Sequence, residues 1–364
     1  MHEKLLNLVL EGLDCLNDRK VAVVYVGSFC EGISSVFHLK QRTKVITGYA
    51  EALDALKSEA IFFNIDQFIE VVSRYGNNVP FDFVIYVPGG TFNFGATLVI
   101  PSLSELIGRP VFPSAANAIS LWHNKIAGRA AASHLGWNVA QRFMHSDDID
   151  GESVIRKPIF GGDSFGIEIY KNGKHPTSFD SGEDIIESFI DGYDATIYLA
   201  RCPFRNEFEV LGGLVTKFDG SEPKKEIWTN DRKLYSSAQY QSKEVLNIER
   251  FSVNLATDIS SLSAKTCNAF LVDTFARIDV RFQDDIAPEQ ELALKPSFFL
   301  ELNPLPTISA SGSWFEMIHS KVVKYPTQFA RFQQITNNLS PMAYSMVYLL
   351  SIWAGRYSLK SKKL

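Results

Sequence analysis

The chain has 364 residues, with 36 Lys and Arg against 41 Asp and Glu, for a formal net charge of −5. That balance excludes a strongly basic nucleic-acid binder. With 46% hydrophobic and 21% charged residues, the composition is that of a folded globular chain and excludes disordered, collagenous and coiled-coil classes; at about 150 residues per domain, the length predicts two or three units, each able to bury a core without disulfides.

The four cysteines, Cys15, Cys30, Cys202 and Cys267, form no CxxC pair, which predicts buried thiols in a reducing compartment. Near the N-terminus, Leu6, Val9, Leu10 and Leu13 recur at helical spacing with Glu3, Glu11 and Asp14 among them. This reads as an amphipathic helix and not as a secretory signal. The uncharged run from Pro341 to Gly355 is too short, and too interrupted by Ser and Tyr, to span a bilayer. The expectation is a cytoplasmic protein with neither a membrane nor a nucleic-acid partner.

From Lys20 to Pro113, the apolar runs VAVVYVG, KVITGY, AIFFNI and FDFVIYV alternate with helical stretches around Ser34 to Lys40 and in EALDALKSEA. That alternation predicts an α/β layer with a mostly parallel sheet. The glycine turns at Gly27 and at Gly89-Gly90 lie where such sheets bind ligands. Ser114 to Gly136 follows as a helix, with Ile119, Trp122, Ile126 and Leu135 on its apolar face and Gly136 as its C-cap. SVIRKPIFGGDSFGIEIYKNG then reads as two strands joined by a glycine-rich loop. Strand-like DATIYLARCP and EFEVLGGLVTKFDG come next, then a weakly periodic segment from Lys224 to Lys243 that reads as a mobile loop. A helix over Glu249 to Ala269, the strands TFARIDVRF and FFLELNPLP, and a helical tail from Lys321 complete the chain.

The loop at 161 to 166, with Gly161, Gly162, Asp163, Ser164 and Gly166, has two readings. Glycines let backbone N–H groups approach a phosphate, and the same composition serves a plain β-hairpin. Lys157, inside an otherwise apolar strand four residues earlier, and Lys125, on the preceding helix, supply compact cations for a phosphate chain. In TFARIDVRF the two-residue side-chain period places Arg277 and Asp279 on one face of a strand, and in FFLELNPLP it does the same for Glu301 and Asn303. If the strands are neighbours, Asp279, Glu301 and Asn303 form a set of hard oxygen donors suited to Mg²⁺, with Arg277 a fixed cation beside it. The alternative is a solvated sheet face with ordinary ion pairs, but an Asp and a Glu on adjoining strands repel without a cation between them.

These segments, taken in order as VGSFCEGISS, PGGTFNFG, WHNK, IRKPIFGGDSFG, IIESFIDGYDATI, RID and ELNPLPTIS, resemble the ATP-grasp superfamily and, within it, the D-alanine:D-alanine ligase group. The resemblance runs from about Val21 to His319. It implies an α/β (α+β) ATP-grasp fold with an N-terminal α/β substrate domain over 1–113, a central subdomain over 114–190 and a catalytic domain over 191–320. ATP would lie between two antiparallel sheets. Residues 321–364 form a helical extension without a counterpart, read as a docking helix or homodimer contact, or else as a lid.

By that resemblance Lys125 and Lys157 bind phosphate, and the loop around Gly162 and Ser164 is the flap over it. Glu187 with Ser188, Phe189 and Ile190 forms the adenine hinge, and Asp194 takes the ribose. Asp279, Glu301 and Asn303 hold Mg²⁺ (or Mn²⁺), and Arg277 stabilises an acyl phosphate and the tetrahedral intermediate. Glu31 meets the first substrate's amino group, and Lys233 and Tyr235 belong to the mobile loop. The implied activity is ATP-dependent joining of a carboxylate and an amine, with amino acids or other small molecules as substrates. A regulatory ATP-binding protein and a phosphotransferase that stops at the phosphorylated product are the rivals. Two departures fall on the amino-acid side. Tyr86-Val87-Pro88-Gly89-Gly90 replaces the family's Asn-Ala-Leu-His-Gly, and Thr307 replaces a glycine of the oxyanion site, with either Ser311 or Ser313 left to bind a carboxylate.

Overall fold

The computed structural model describes residues 7–25, 36–87, 94–145, 148–162, 164, 166–171, 174, 176, 182–218, 227, 241–246, 253–283, 297–308 and 313–361. Glu31, Lys233, Tyr235, Ser311, Cys30, Asp163 and the glycines at 27, 89 and 90 lie outside these residues.

The N-terminal layer contains α1 (Leu8–Leu16), β1 (Lys20–Tyr25), α2 (Val36–Ala55), β2 (Glu59–Asn64), α3 (Ile65–Tyr75), β3 (Phe83–Val87), α4 (Phe94–Leu106) and β4 (Val111–Phe112). The four strands pair in parallel in the order β2-β1-β3-β4. Alternate residues of β1 and β3 feed two cores, as the pleat requires. Val21, Val23, Phe83 and Ile85 join one cluster, and Ala22, Val24, Val84 and Tyr86 join the other. KVITGY is not a strand but part of α2. Val45, Tyr49, Ala52, Leu53 and Leu56 are all buried, a spacing of four, three, one and three that follows a helical stripe and outweighs the β propensity of Val45, Ile46 and Thr47.

The stretch from Ser114 to Gly136 is two helices, α5 (Ala116–His123) and α6 (Lys125–Leu135), and not one. Asn124 interrupts them in an extended conformation, and its side chain accepts from the N–H of Ala127, so it caps α6. Gly136 ends α6 with φ 107°, as the C-cap reading requires.

Two antiparallel sheets follow. The first contains β5 (Arg142–Phe143), β6 (Val154–Pro158), β7 (Glu168–Tyr170) and β8 (Asp184–Ser188), in the order β5-β8-β6-β7. The second contains β9 (Tyr193–Arg201), β10 (Phe208–Phe218), β11 (Gln241–Leu246), β12 (Phe275–Phe282) and β13 (Ser297–Asn303), in the order β11-β10-β9-β12-β13. The helix α7 (Val253–Ala269) precedes β12. One face of the larger sheet, with Ile197, Leu199, Ala276, Ile278 and Phe282, packs into a core with Phe270 and Phe299.

The tail forms α8 (Ser313–Lys324), α9 (Ala330–Thr336) and α10 (Pro341–Ser361). It docks on its own chain: Met342, Met346, Val347, Leu350 and Trp353 share a core with Leu8, Val9 and Leu13 of α1 and with Val45 and Tyr49 of α2. The helix is buried almost all round from Met342 to Gly355, which accounts for a run without charges. No helix among the described residues is long and apolar enough to cross a membrane.

Candidate active site

A cavity of about 480 Å³ lies between the two antiparallel sheets. Its floor is set by strand register. On β12 the residues Arg277, Asp279 and Arg281 point to the cavity face, and they stand opposite Tyr198, Thr196 and Asp194 of β9. On the other side, Arg277 pairs with Asn303 and Asp279 with Glu301 of β13. Residues more than twenty positions apart thus become nearest neighbours. The opposite wall is built by β6 and β8, which supply Ile155, Lys157, Ile185 and Glu187.

Among the described residues, the cavity is lined by Lys125, Lys157, Gly162, Ser164, Glu187, Ser188, Phe189, Ile190, Asp194, Arg277, Asp279, Glu301 and Asn303. Each of these is a site residue expected from the sequence. Thr307 lines it as well. Sequence reasoning passed over Thr196, Tyr198, Arg129 and Arg281, which also face the space, and it read His123 as a helix-surface residue, whereas His123 is buried in the same lining. Arg129 carried a readable signal, since it stands four residues after Lys125 and so on the same helix face.

The glycine-rich loop bends through left-handed backbone, with φ 120° at Gly161, 59° at Ser164 and 68° at Gly166, so glycine removes the steric cost at two of the three positions. Lys125 is the first residue of α6. Its N–H donates to Ile159 (3.1 Å) and its Nζ to the Gly161 carbonyl (2.9 Å), so the same residue anchors both ends of the loop's entry. Burial depresses the ammonium of Lys125; Glu301 and Glu187 oppose that shift and Lys157 reinforces it.

Lys157 Nζ donates to Glu187 Oε2 at 3.0 Å. Glu187 is fully buried, and Arg129 Nε lies 2.6 Å from its Oε1. At the other end of the 187–194 segment, Arg281 pairs with Asp194 at 2.6 Å, donates to the Ile190 carbonyl and lies over the Phe189 ring at 5.0 Å. The N–H groups of Ser188 and Phe189 donate to the carbonyls of Gln141 and Ser153, which tie this segment to the residues that precede β5 and β6.

Asp279 accepts from Thr196 Oγ1 (2.8 Å) and from Arg277 Nη2 (2.9 Å), one bond per carboxylate oxygen. Asn303 Oδ1 accepts from the N–H of Leu305 at 2.8 Å. Each of these oxygens keeps a second lone pair. Burial alone would lower the Arg277 guanidinium, but Asp279, followed by Tyr198 and Glu301, outweighs it and holds the group above its ordinary value. Arg277 is therefore permanently charged. No three His, Cys, Asp or Glu side chains cluster for a metal among the described residues. The donor set is two carboxylates opposed in register plus one amide oxygen, which fits a hard divalent cation that keeps waters and substrate oxygens in its shell.

His123 lines the cavity and is buried; burial, and then Lys125, push it down to about 4. An unfolded histidine titrates near 6.5. Between those values the unfolded chain binds a proton that the folded chain does not, so stability falls as pH drops from about 6.5 to 4. His123→Asn is expected to flatten that slope by up to about 3 kcal/mol between pH 7 and pH 4, read by urea unfolding. An unchanged slope would mean that His123 is protonated in the native state.

No protein-family model matches the sequence, and no curated protein does. Solved structures do match. The ATP-complexed D-alanine–D-alanine ligase of Bacillus anthracis superposes with a TM-score of 0.61 at 14% identity, covering 95% of this chain and 99% of that one. The VanG D-Ala:D-Ser ligase of Enterococcus faecalis gives 0.60 at 15% identity, with 92% and 100% covered. D-alanyl-alanine synthetase A of Vibrio cholerae gives 0.57 at 13% identity, with 89% and 99% covered. The fold is the ATP-grasp fold of the D-alanine–D-alanine ligases. Its three sheets correspond to the fold that the ordered motifs imply, but a match covering 95% of this chain leaves too little uncovered for residues 321–364 to be an extension without a counterpart; identity this low carries no substrate.

Proposed function

We propose that the chain is an ATP-dependent carboxylate–amine ligase, which phosphorylates a small-molecule carboxylate and lets an amine displace the phosphate to form an amide. The observation that carries this reading is the convergence of two lysines, one arginine and the oxygen set Asp279, Glu301 and Asn303 on one cavity between two sheets. One of the superposed ligases holds ATP.

In this reading the nucleotide lies along the cavity with its base at the hinge. The Glu187 carboxylate, held by Arg129 at Oε1 and by Lys157 at Oε2, would accept in addition from the exocyclic amine of adenine. Asp194 would take the ribose hydroxyls, and Lys125 and Lys157 the phosphates, under the loop at Gly162 and Ser164. Asp279, Glu301 and Asn303 would hold Mg²⁺, which supplies charge neutralisation at the transferring phosphoryl group. A carboxylate is a poor electrophile because its charge repels nucleophiles and its oxygen is a poor leaving group; phosphorylation removes both obstacles. Arg277, charged throughout and held in place by Asp279, is positioned to stabilise the oxyanion that forms when the amine attacks. No protein nucleophile is required, and His123, held neutral, serves no acid role near neutral pH. By the resemblance, the sequence departures at Tyr86 to Gly90 and at Thr307 would fall on the amino-acid side, so the pair of substrates is not inherited from the superposed ligases.

The expected result is phosphate release from ATP only when a carboxylate and an amine are both present, with the amide product seen by mass spectrometry across D- and L-amino acids and other amines. Release with one substrate, leaving a stable phosphorylated product, would replace the reading with phosphotransfer. Nucleotide binding without turnover across the panel would replace it with a regulatory role.

A further inference from the structure

We infer that Arg129 is a third phosphate-binding cation beside Lys125 and Lys157, donating from Nη1 to the phosphate nearest the nucleoside. The inference rests on the nucleotide reading of the cavity and adds to it a residue that the ordered motifs do not mark.

Arg129 projects from α6 into the cavity lining and is 7% exposed. Its guanidinium is only partly used. Nη2 donates to the Ala140 carbonyl at 2.7 Å, and Nε sits 2.6 Å from Glu187 Oε1. Nη1 is buried and has no hydrogen-bond partner among the described residues. A buried donor left unmade carries its full desolvation cost, so the group calls for an acceptor, and a guanidinium N–H is best matched by an anionic one.

Charge leads to the same place. Among the described lining residues, five cations (Lys125, Lys157, Arg129, Arg277 and Arg281) face four carboxylates (Glu187, Asp194, Asp279 and Glu301). Arg281 is matched by Asp194 and Arg277 by Asp279, and Glu301 acts on Lys125. Glu187 alone answers both Arg129 and Lys157. Burial depresses Arg129 against the pull of Glu187, and Arg142, paired in register with Glu187, adds positive charge that deepens the shift. The surplus therefore sits at this one cluster, beside the hinge, where an anion restores the balance. A neutral base or sugar would leave the surplus in place.

Isothermal titration of the full chain with ADP, AMP and adenosine tests this. Arg129→Lys keeps a cation beside Glu187 but loses the fork that serves Ala140, Glu187 and a ligand together. Arg129→Lys is expected to weaken ADP and AMP binding about 10- to 100-fold, the loss of one charged hydrogen bond, and to leave adenosine binding within about twofold. Arg129→Met should lose at least as much for both phosphorylated ligands; where it fails to fold by circular dichroism, Arg129→Lys decides. Unchanged ADP and AMP affinity in Arg129→Lys, or an equal loss for adenosine, overturns the inference while the nucleotide reading stands. Wild-type protein that binds none of the three overturns both.

Discussion

Asp279→Asn and Glu301→Gln are each expected to lower the ligation rate at least about 1000-fold, the scale set by losing transition-state charge stabilisation in a closed site. The two carboxylates are directly opposed across β12 and β13, where like charges are destabilising unless a cation lies between them. Glu301→Gln removes that repulsion, so its thermal midpoint is expected to stay within a few degrees of wild type even as turnover is lost. Asp279→Asn keeps an oxygen for Thr196 but gives up the charge beside Arg277, so a modest fall in midpoint accompanies its loss of rate. A magnesium titration of both variants supplies the decisive comparison. Turnover near wild type in both, at any magnesium concentration, would reject the oxygen set as a metal site.

The stability and rate effects separate because the site's face of the larger sheet is not its packing face. Ile278 and Phe282 go to the core, while Arg277, Asp279 and Arg281 go to the cavity. A two-residue period is a local property of a strand, which is why this face was legible before any contact was known. Two strands with two polar positions each were enough to propose the oxygen set once they were assumed adjacent, and the register supplies that adjacency. What was not legible depends on partners remote in the chain. KVITGY looks extended by propensity, and only the packing of Val45, Tyr49 and Leu53 against the tail makes it helical. Asn124 reads as one polar residue within a helix until its side chain is seen capping the next one. Lys157 was expected to wait for phosphate, but Glu187 holds it at 3.0 Å, a pairing across two strands that neither strand announces. Arg129 was missed for the opposite reason: its place one helical turn after Lys125 was readable, but a long cation on a helix is ordinarily solvated, and its burial is what sets it apart.

Gly12→Ala and Gly355→Ala are each expected to destabilise the fold by about 3 kcal/mol, at the upper end of overpacking costs, and to lower the thermal midpoint by several degrees. The helices α1 and α10 cross with their backbones in contact. A Cβ on Gly12 would lie 1.8 Å from the Ser351 carbonyl oxygen, and one on Gly355 would lie 2.1 Å from that of Leu8. Neither clash can be relieved by turning a side chain, because the obstacle in each case is a main-chain carbonyl. The gain in helix propensity from Gly to Ala, about 1 kcal/mol, is too small to offset a separation of the two helices along a contact that holds Leu8, Leu13, Val347 and Leu350 in one core. Gly48→Ala is the graded control. Its new methyl would meet the Met342 thioether at 2.6 Å, a flexible side chain that can swing aside, so its cost should stay near 1 kcal/mol. Thermal melts of the three variants followed by circular dichroism measure the order. Equal, small losses in all three would show that the crossing yields easily, and that the tail is a loosely attached appendage instead of part of the N-terminal core.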